Sequence, residues 1–173
     1  KSTFEDRNIF FENTGFSLEE VYNALTYIEP FKDQVQKYIY DHIQEQYKPN
    51  NECIYYDVTN YYFEIDDNDD FRKKGVNKEH RPNPIVQMGL FMDSIGLPMC
   101  YKLFEGNTND CLTLKPMVQE LQKNYNVGKV IVVADKGLNT GNNIAYNKAI
   151  GNGYVMSLSV RGANADLKNY VLN

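Results

Sequence analysis

Residues 130–137 read VIVVADKG, an apolar run that ends in a carboxylate. β-Branched residues favour strands, and a strand without polar alternation is typical of parallel pairing with both sheet faces covered. Asp135 then stands at the carboxyl end of the strand, where open α/β sheets usually bind their ligands. A local role is the alternative, because a turn aspartate can accept hydrogen bonds from the amides of Gly137 or Leu138. The segment therefore predicts a buried strand with an aspartate at one edge of the sheet.

A second aspartate lies within a strand-forming stretch. Residues 53–65 read CIYYDVTNYYFEI, and Asp57 is well inside this stretch rather than at either end. A carboxylate there is costly to desolvate unless it is hydrogen-bonded, paired or bound to a metal. The simplest alternative is an aspartate on the wetter face of the strand, bonded to the Thr59 hydroxyl.

The two aspartates are more informative together. If their strands are neighbours in the sheet, both carboxylates come within reach of one divalent cation. Mg²⁺ is commonly bound through one or two carboxylates plus water and phosphate oxygens. Two such ions roughly 4 Å apart stabilise the attacking and leaving oxygens of an in-line phosphoryl displacement. We therefore hypothesise that Asp57 and Asp135 form a metal centre.

The remaining pattern predicts an α/β fold. Residues 84–106 predict a hairpin around the turn Asp93–Gly96, with Asp93 as a turn residue. A helix within 107–128, a second helix over 141–150 and a strand over 154–160 follow. The apolar face of the first of these helices is formed by Leu114, Met117, Val118, Leu121 and Tyr125. The order strand, strand, strand, helix, strand, helix, strand predicts a mixed five-stranded sheet flanked by helices.

The first fifty residues predict a separate helical segment. Residues 1–15 have an irregular pattern, and Ser17 with Glu20 forms the signature of a helix capping box. We therefore predict two regions, a helical segment over 1–50 and an α/β core over 51–173.

Composition restricts the class of protein. The chain has 173 residues, a formal charge of -5 and 42% hydrophobic residues. Its apolar runs are far shorter than the ~18 residues that a membrane span needs, so no membrane partner is expected. Its three cysteines show no metal-ligand spacing, which fits a reducing cytoplasm better than a disulfide framework or a zinc site. Because the chain starts at Lys1 and not at a methionine, we expect a piece of a longer protein.

The charge is unevenly distributed. An acidic chain is an unusual nucleic-acid binder, since phosphate contacts normally draw on a surplus of Lys and Arg. Residues 64–70 are acidic, however, whereas residues 72–81 carry five Lys or Arg against one Glu. The simplest interpretation of both stretches is a solvated loop.

Several motifs occur in an order that resembles a known family. They are Asp57-Val58-Thr59, then GVNKEHRP (75–82), then GLFMD (89–93) with Gly96-Leu97-Pro98, then FEGN (104–107) with Asp110 and Thr113-Leu114, and finally VADKG (133–137). Over residues 53–160 the chain resembles the catalytic domain of bacterial insertion-sequence DDE transposases.

This resemblance implies a ribonuclease-H-like fold, with one catalytic aspartate on the first strand and the next one after the fourth strand. Those positions correspond to Asp57 and Asp135, as ligands of Mg²⁺ or Mn²⁺. The implied partners are DNA, at transposon ends and in the target, and a second copy of the full-length protein. The implied reaction is phosphoryl transfer in two steps: water cuts at the transposon end, and the freed 3′ hydroxyl attacks the target. The implied location is the bacterial cytoplasm, with the nucleoid.

One family ligand has no counterpart in this sequence. The family's third acidic residue is a glutamate on a helix after the fifth strand, and Asp166 is a poor substitute for it. We therefore expect the two-metal site to be completed by a glutamate outside this chain. The chain alone is then expected to cut DNA poorly or not at all.

The resemblance also suggests contacts with nucleic acid. Lys78, His80 and Arg81 of the basic loop are candidate phosphate contacts, as is Lys136 beside the second aspartate. Asn107 is a further candidate, since it leaves the third strand, as Asp110 does, and is expected at the same end of the sheet.

Two other interpretations remain open. A phosphatase of the haloacid-dehalogenase type also begins with an aspartate on a strand, but its signature needs a second aspartate two residues later, where this chain has Thr59. A catalytically inactive DNA-binding or assembly module derived from a transposase is the other alternative, and the intact aspartate pair argues against it.

Overall fold

The computed structural model describes residues 2–10, 15–75 and 82–172, except for the side chains of Ser2, Thr3, Phe10 and Leu172. The chain divides into two compact units, Lys1–Ile39 and Tyr40–Asn173. The second unit begins before the boundary at residue 50 that the sequence predicts. The physical reason is Tyr40, which is 6% exposed and packs edge-on against Tyr125 with ring centroids 5.0 Å apart.

The first unit is helical. Its helices are α1 (Ser2–Glu5), α2 (Arg7–Phe10), α3 (Leu18–Ile28) and the first part of α4 (Lys32–Tyr47). The capping box is confirmed, since Ser17 Oγ accepts from the Glu20 amide at 3.2 Å and the Ser17 amide donates to the Glu20 carboxylate at 2.7 Å. The expectation of an irregular start is wrong for α1 and α2, each a single turn of four residues. Residues 11–14 lie outside the described residues.

The second unit is built on a five-stranded sheet. Its strands are β1 (Cys53–Tyr62), β2 (Ile85–Met92), β3 (Pro98–Glu105), β4 (Ile131–Ala134) and β5 (Gly153–Met156), in the order β3-β2-β1-β4-β5. β1, β2 and β3 form an antiparallel meander, and β4 runs parallel to both β1 and β5. The predicted fold class, a mixed five-stranded α/β sheet flanked by helices, is confirmed.

The core lies between the sheet and the helices α5 (Leu114–Asn124) and α6 (Gly141–Ala149). All five residues predicted for the apolar face of α5 are buried, at 0–6% exposure: Leu114, Met117, Val118, Leu121 and Tyr125. Against them pack the inward side chains of the sheet, among them Ile54, Tyr56, Val58, Phe91 and Val132. A last helix, α7 (Ala165–Leu172), follows β5.

The hairpin between β2 and β3 turns as the sequence predicts. Asp93 is 1% exposed, and its carboxylate accepts from the amides of Ile95 at 3.0 Å and Leu97 at 2.8 Å. Gly96 has a φ of +87°, a conformation that favours glycine. Asp93 is therefore a turn residue.

One expectation for β4 is wrong. Its parallel pairing is confirmed, but Ile131 is 44% exposed, so only one face of the strand is covered by the described residues. On the uncovered face, Tyr55 of β1 and Val155 of β5 are also exposed, at 41% and 58%. The parallel connections from β3 through α5 to β4 and from β4 through α6 to β5 run in one direction across the sheet, and right-handed connections place both helices on the same face. The apolar composition of β4 correctly predicted its parallel pairing, but it did not predict whether other elements would cover its outer face.

Candidate functional site

The sheet register places the two predicted aspartates side by side. The parallel ladder between β1 and β4 ends at the pair Tyr56 and Ala134, and the next residue on each strand is Asp57 and Asp135. Neighbouring strands lie about 4.8 Å apart, and paired residues of parallel strands point to the same face. Both aspartates are exposed. Asp57 thus lies within β1 and Asp135 directly follows β4.

A third carboxylate lies in the same notch. Asp57, Asp110 and Asp135 line one small cavity of about 10 Å³ together with Val58 and Leu138. The notch exists because β4 ends at Ala134 whereas β1 continues to Tyr62. Asp110 reaches it from a one-turn 3₁₀ helix that follows β3, so the expectation that it would face this end of the sheet is confirmed.

Local hydrogen bonds occupy one oxygen of each predicted ligand. Asp135 Oδ1 accepts from the Gly137 amide at 2.7 Å. The Thr59 hydroxyl donates to Asp57 Oδ2 at 3.4 Å, which is long for such a bond. The structure thus contains both local interactions that the sequence suggested as alternatives, the Gly137 amide for Asp135 and the Thr59 hydroxyl for Asp57. Within the described part of the chain the other oxygen of each carboxylate makes no hydrogen bond, so each keeps one for a ligand.

Asp110 is held by a buried amide that the sequence analysis missed. Gln87 on β2 is 1% exposed, and its Nε2 donates to Asp110 Oδ1 at 2.9 Å. Its Oε1 has no hydrogen-bond partner among the described residues. A glutamine at an inward position of the apolar strand IVQMGLFM was the signal, because a polar side chain in such a position needs a partner.

A buried hydroxyl relay connects β1 to the turn that carries Asp110. The Tyr56 hydroxyl donates to Thr113 Oγ1 at 2.7 Å, and Thr113 Oγ1 donates to the Asp110 carbonyl, also at 2.7 Å. Burial raises the pKa of Tyr56, so its hydroxyl stays protonated as a donor. Gly89 on β2 makes room for this ring, since an added Cβ would lie 2.3 Å from the Tyr56 hydroxyl.

Asn143 joins the two turns that carry Asp110 and Asp135. This α6 residue is 4% exposed, and its Nδ2 donates to the carbonyls of Cys111 and Leu138, at 2.9 Å each. One side chain therefore fixes the spacing between the turn after β3 and the turn after β4. The sequence does not indicate this role for Asn143, because an asparagine in an amphipathic helix is normally exposed.

The donor set suits a hard cation that keeps several waters. In residues 2–10, 15–75 and 82–172 no group of three or more His, Cys, Asp or Glu side chains is arranged to hold a metal ion. Two adjacent carboxylates with one open oxygen each are what Mg²⁺ commonly uses, with water filling the remaining positions. The residues present therefore fit Mg²⁺ or the chemically similar Mn²⁺.

The predicted nucleic-acid contacts are dispersed. Lys136 is exposed and opens the 3₁₀ turn after Asp135, on the wall of a larger cavity. Asn107 is exposed in the turn after β3 and does not line the carboxylate cavity. Lys78, His80 and Arg81 lie outside the described residues.

Comparisons with known proteins give structural similarities at low identity. No family model and no curated protein matches the chain. A Mos1 transposase paired-end complex with left transposon end is similar at 10% identity and a TM-score of 0.42, over 88% of this chain and 48% of that chain. The catalytic domain of Mos1 mariner transposase is similar at 12% identity and a TM-score of 0.41, over 81% of this chain and 68% of that chain.

This chain thus spans about half the length of the first of these proteins. Both TM-scores are below 0.5, and neither similarity establishes a family or an activity. No helix of the described part of the chain is long and apolar enough to cross a membrane.

Proposed function

We propose that this chain is the catalytic core of a DDE-type DNA transposase, which transfers phosphoryl groups at transposon ends and into target DNA. The observation that carries the proposal is the register of β1 and β4, which sets Asp57 and Asp135 next to each other at one edge of the sheet. The order of motifs from Asp57 to Gly137 gives separate support. Full-length partners are, on this proposal, transposon-end DNA, target DNA and a second copy of the protein.

Asp57 and Asp135 are the residues that would hold the cation. A bound Mg²⁺ or Mn²⁺ supplies charge stabilisation for phosphoryl transfer. The protein contributes fixed positions, because both carboxylates are mounted on paired strands and the Gly137 amide restrains Asp135. Asp110, restrained by Gln87, adds a third negative charge beside the pair. That charge strengthens the attraction for a cation and, without one, repels a phosphate.

The proposal is tested by the cation dependence of DNA binding. Without a divalent cation the three carboxylates repel DNA, so we expect the 173-residue chain to bind a DNA oligonucleotide more tightly in CaCl₂ or MnCl₂ than in EDTA. Asp57→Asn and Asp135→Asn should each remove most of this cation-dependent gain. Fluorescence anisotropy of a labelled oligonucleotide measures it, and Asp67→Asn, at an exposed aspartate of the loop after β1, is the matched control.

The outcomes separate the alternatives. DNA binding that is equal in EDTA and in cation, and unchanged in both variants, would favour an inactive DNA-binding module and contradict the proposal. Hydrolysis of a small phosphate monoester that depends on Asp57, without any DNA binding, would favour the phosphatase. Nicking of supercoiled plasmid in MnCl₂ is expected to be slow at most, and an ordinary nicking rate would refute the expectation that a further carboxylate is needed.

A further inference from the structure

A second, larger cavity lies beside the carboxylate notch. It has a volume of about 590 Å³ and lies where the chain leaves the parallel strands β4 and β5. Its wall is formed by Lys136, Gly137, Asn139, Ser157, Leu158, Ser159, Gly162, Ala163, Asn164 and Leu167. The carboxyl ends of parallel strands are the usual place for ligands in open α/β sheets. The 3₁₀ turn Lys136–Leu138 separates the two cavities, since Leu138 lines the notch and Lys136 lines the larger cavity.

The lining chemistry suits an anion with an apolar part. Among the described residues that line the cavity, Lys136 alone is charged and none carries a carboxylate. In the described part of the chain, the side chains of Lys136, Ser157 and Ser159 make no hydrogen bond or ion pair and remain available as donors. Leu158 and Leu167 supply apolar surface on the same wall.

The wall itself is fixed in place. Asn139 Nδ2 donates to the Ser157 carbonyl at 3.0 Å, and the Ser157 amide donates to the Ala134 carbonyl at 3.4 Å. The segment after β5 is thereby tied to the turn that follows Asp135. A ligand in this cavity consequently lies at a set distance from the carboxylate pair.

The volume of this cavity bears on the size of the group that it can enclose. Pockets for single small ligands measure about 300–1,000 Å³, and this cavity lies within that range. It therefore has room for a nucleotide-sized group. Because the 3₁₀ turn Lys136–Leu138 contributes to the walls of both cavities, we expect a strand whose phosphate lies at Asp57 and Asp135 to extend towards the larger cavity.

We propose that this cavity holds a nucleotide of a single DNA strand next to the phosphate at the carboxylate pair, with Lys136 on its phosphate and Ser157 and Ser159 on its sugar-phosphate backbone. The inference rests on the proposed function, and it makes an unpaired strand the substrate class of the site. Leu158 and Leu167 offer apolar contact to the base.

The test measures binding of a fluorescein-labelled dT₁₂ to the 173-residue chain in CaCl₂ over a range of salt. Lys136→Gln should weaken binding about tenfold, the effect of losing one charge-assisted bond. It should also reduce the slope of log K against log[salt] by about 0.7, the value for one phosphate contact on a single strand. Gly162→Leu should weaken binding without changing the slope, since an added Cβ there meets no other atom and its side chain narrows the cavity.

Matched controls lie at the opposite end of the sheet. Lys129 and Gly128 line a separate cavity of about 370 Å³, and an added Cβ at Gly128 likewise meets no other atom. Lys129→Gln and Gly128→Leu should bind dT₁₂ as the unchanged chain does. Equal losses in these controls, or none in Lys136→Gln and Gly162→Leu, would overturn the inference. Full competition by thymidine monophosphate, or a preference for duplex over dT₁₂, would overturn it as well.

The two proposals fail separately. If Asp57→Asn removes cation-dependent binding while Lys136→Gln and Gly162→Leu do nothing, the proposed function stands and the cavity does not hold the strand. If neither aspartate variant affects binding, the proposed function itself has failed.

Discussion

The geometry of the candidate site depends on individual side chains other than Asp57 and Asp135. Gln87 restrains Asp110, and Asn143 links the turns that carry Asp110 and Asp135. Both amides are almost fully buried, and a buried amide that loses its partner is costly. These residues restrain Asp110 and the turns that carry Asp110 and Asp135.

The link made by Asn143 can be tested directly. Asn143→Ala removes the side-chain donor that the carbonyls of Cys111 and Leu138 share, although the Leu138 carbonyl still accepts from the Thr140 amide at 3.0 Å. We therefore expect the free energy of unfolding to fall by about 1–3 kcal/mol. Mn²⁺ affinity, measured by calorimetry under conditions where the variant is folded, should fall as well because the two turns are no longer joined. The control is Asn142→Ala, one residue earlier and exposed, which should change the unfolding free energy by less than about 0.5 kcal/mol. If Asn143→Ala leaves both the free energy of unfolding and the Mn²⁺ affinity unchanged, Asn143 does not position the two turns.

At the scale of elements, β1 and β2 must approach closely for the site to form. The Tyr56 ring packs against Phe91 with centroids 4.7 Å apart, and its hydroxyl occupies the space over Gly89. That hydroxyl reaches the turn of Asp110 through Thr113. A glycine in the middle of β2 is therefore a packing requirement of the neighbouring strand.

A double-mutant cycle measures this requirement. Gly89→Ala should lower the free energy of unfolding by about 1–3 kcal/mol, because the added methyl group overlaps the Tyr56 hydroxyl. Tyr56→Phe alone should lower it by about 1 kcal/mol through the lost hydrogen bond. In the double variant we expect a cost at least 0.5 kcal/mol below the sum of the two, since the overlapping oxygen is gone. Urea unfolding supplies all three values; strict additivity, or a loss of the same size in Gly128→Ala, would contradict the account.

Some of these features leave a recognisable pattern in the sequence and could be predicted, whereas others leave none. The element order predicts a mixed sheet, and Asp57 and Asp135 were indicated by carboxylates in or directly after apolar strands. The adjacency of β1 and β4 was only a condition at the sequence level, because β4 could join either edge of the meander. The open outer face of β4 could not be predicted, because β-branched residues are favoured by pairing as much as by burial. Asn143 was not predicted for another reason: its partners are backbone carbonyls, one of them 32 residues earlier in the chain, and such partners leave no pattern in the sequence.

For the whole molecule, charge and architecture place different limits on function. A formal charge of -5 is unfavourable for binding duplex DNA, so affinity has to come from local features and a cation. The five-stranded sheet supplies those features at one edge, where three carboxylates lie beside a cavity lined by one lysine. The opposite end of the sheet carries the separate cavity of Lys129. If the proposed function is right, we expect DNA binding to be concentrated at the end of the sheet that carries the aspartates.

The central claim is that Asp57 and Asp135 share one divalent cation. A crystal of the 173-residue chain grown in MnCl₂ tests it most directly, through the anomalous scattering of the metal. We expect a manganese peak within coordination distance of one oxygen from each carboxylate, and its loss in Asp135→Asn crystals of the same form. Carboxylates that point into separate regions, or manganese bound elsewhere with none at this edge, would contradict the claim.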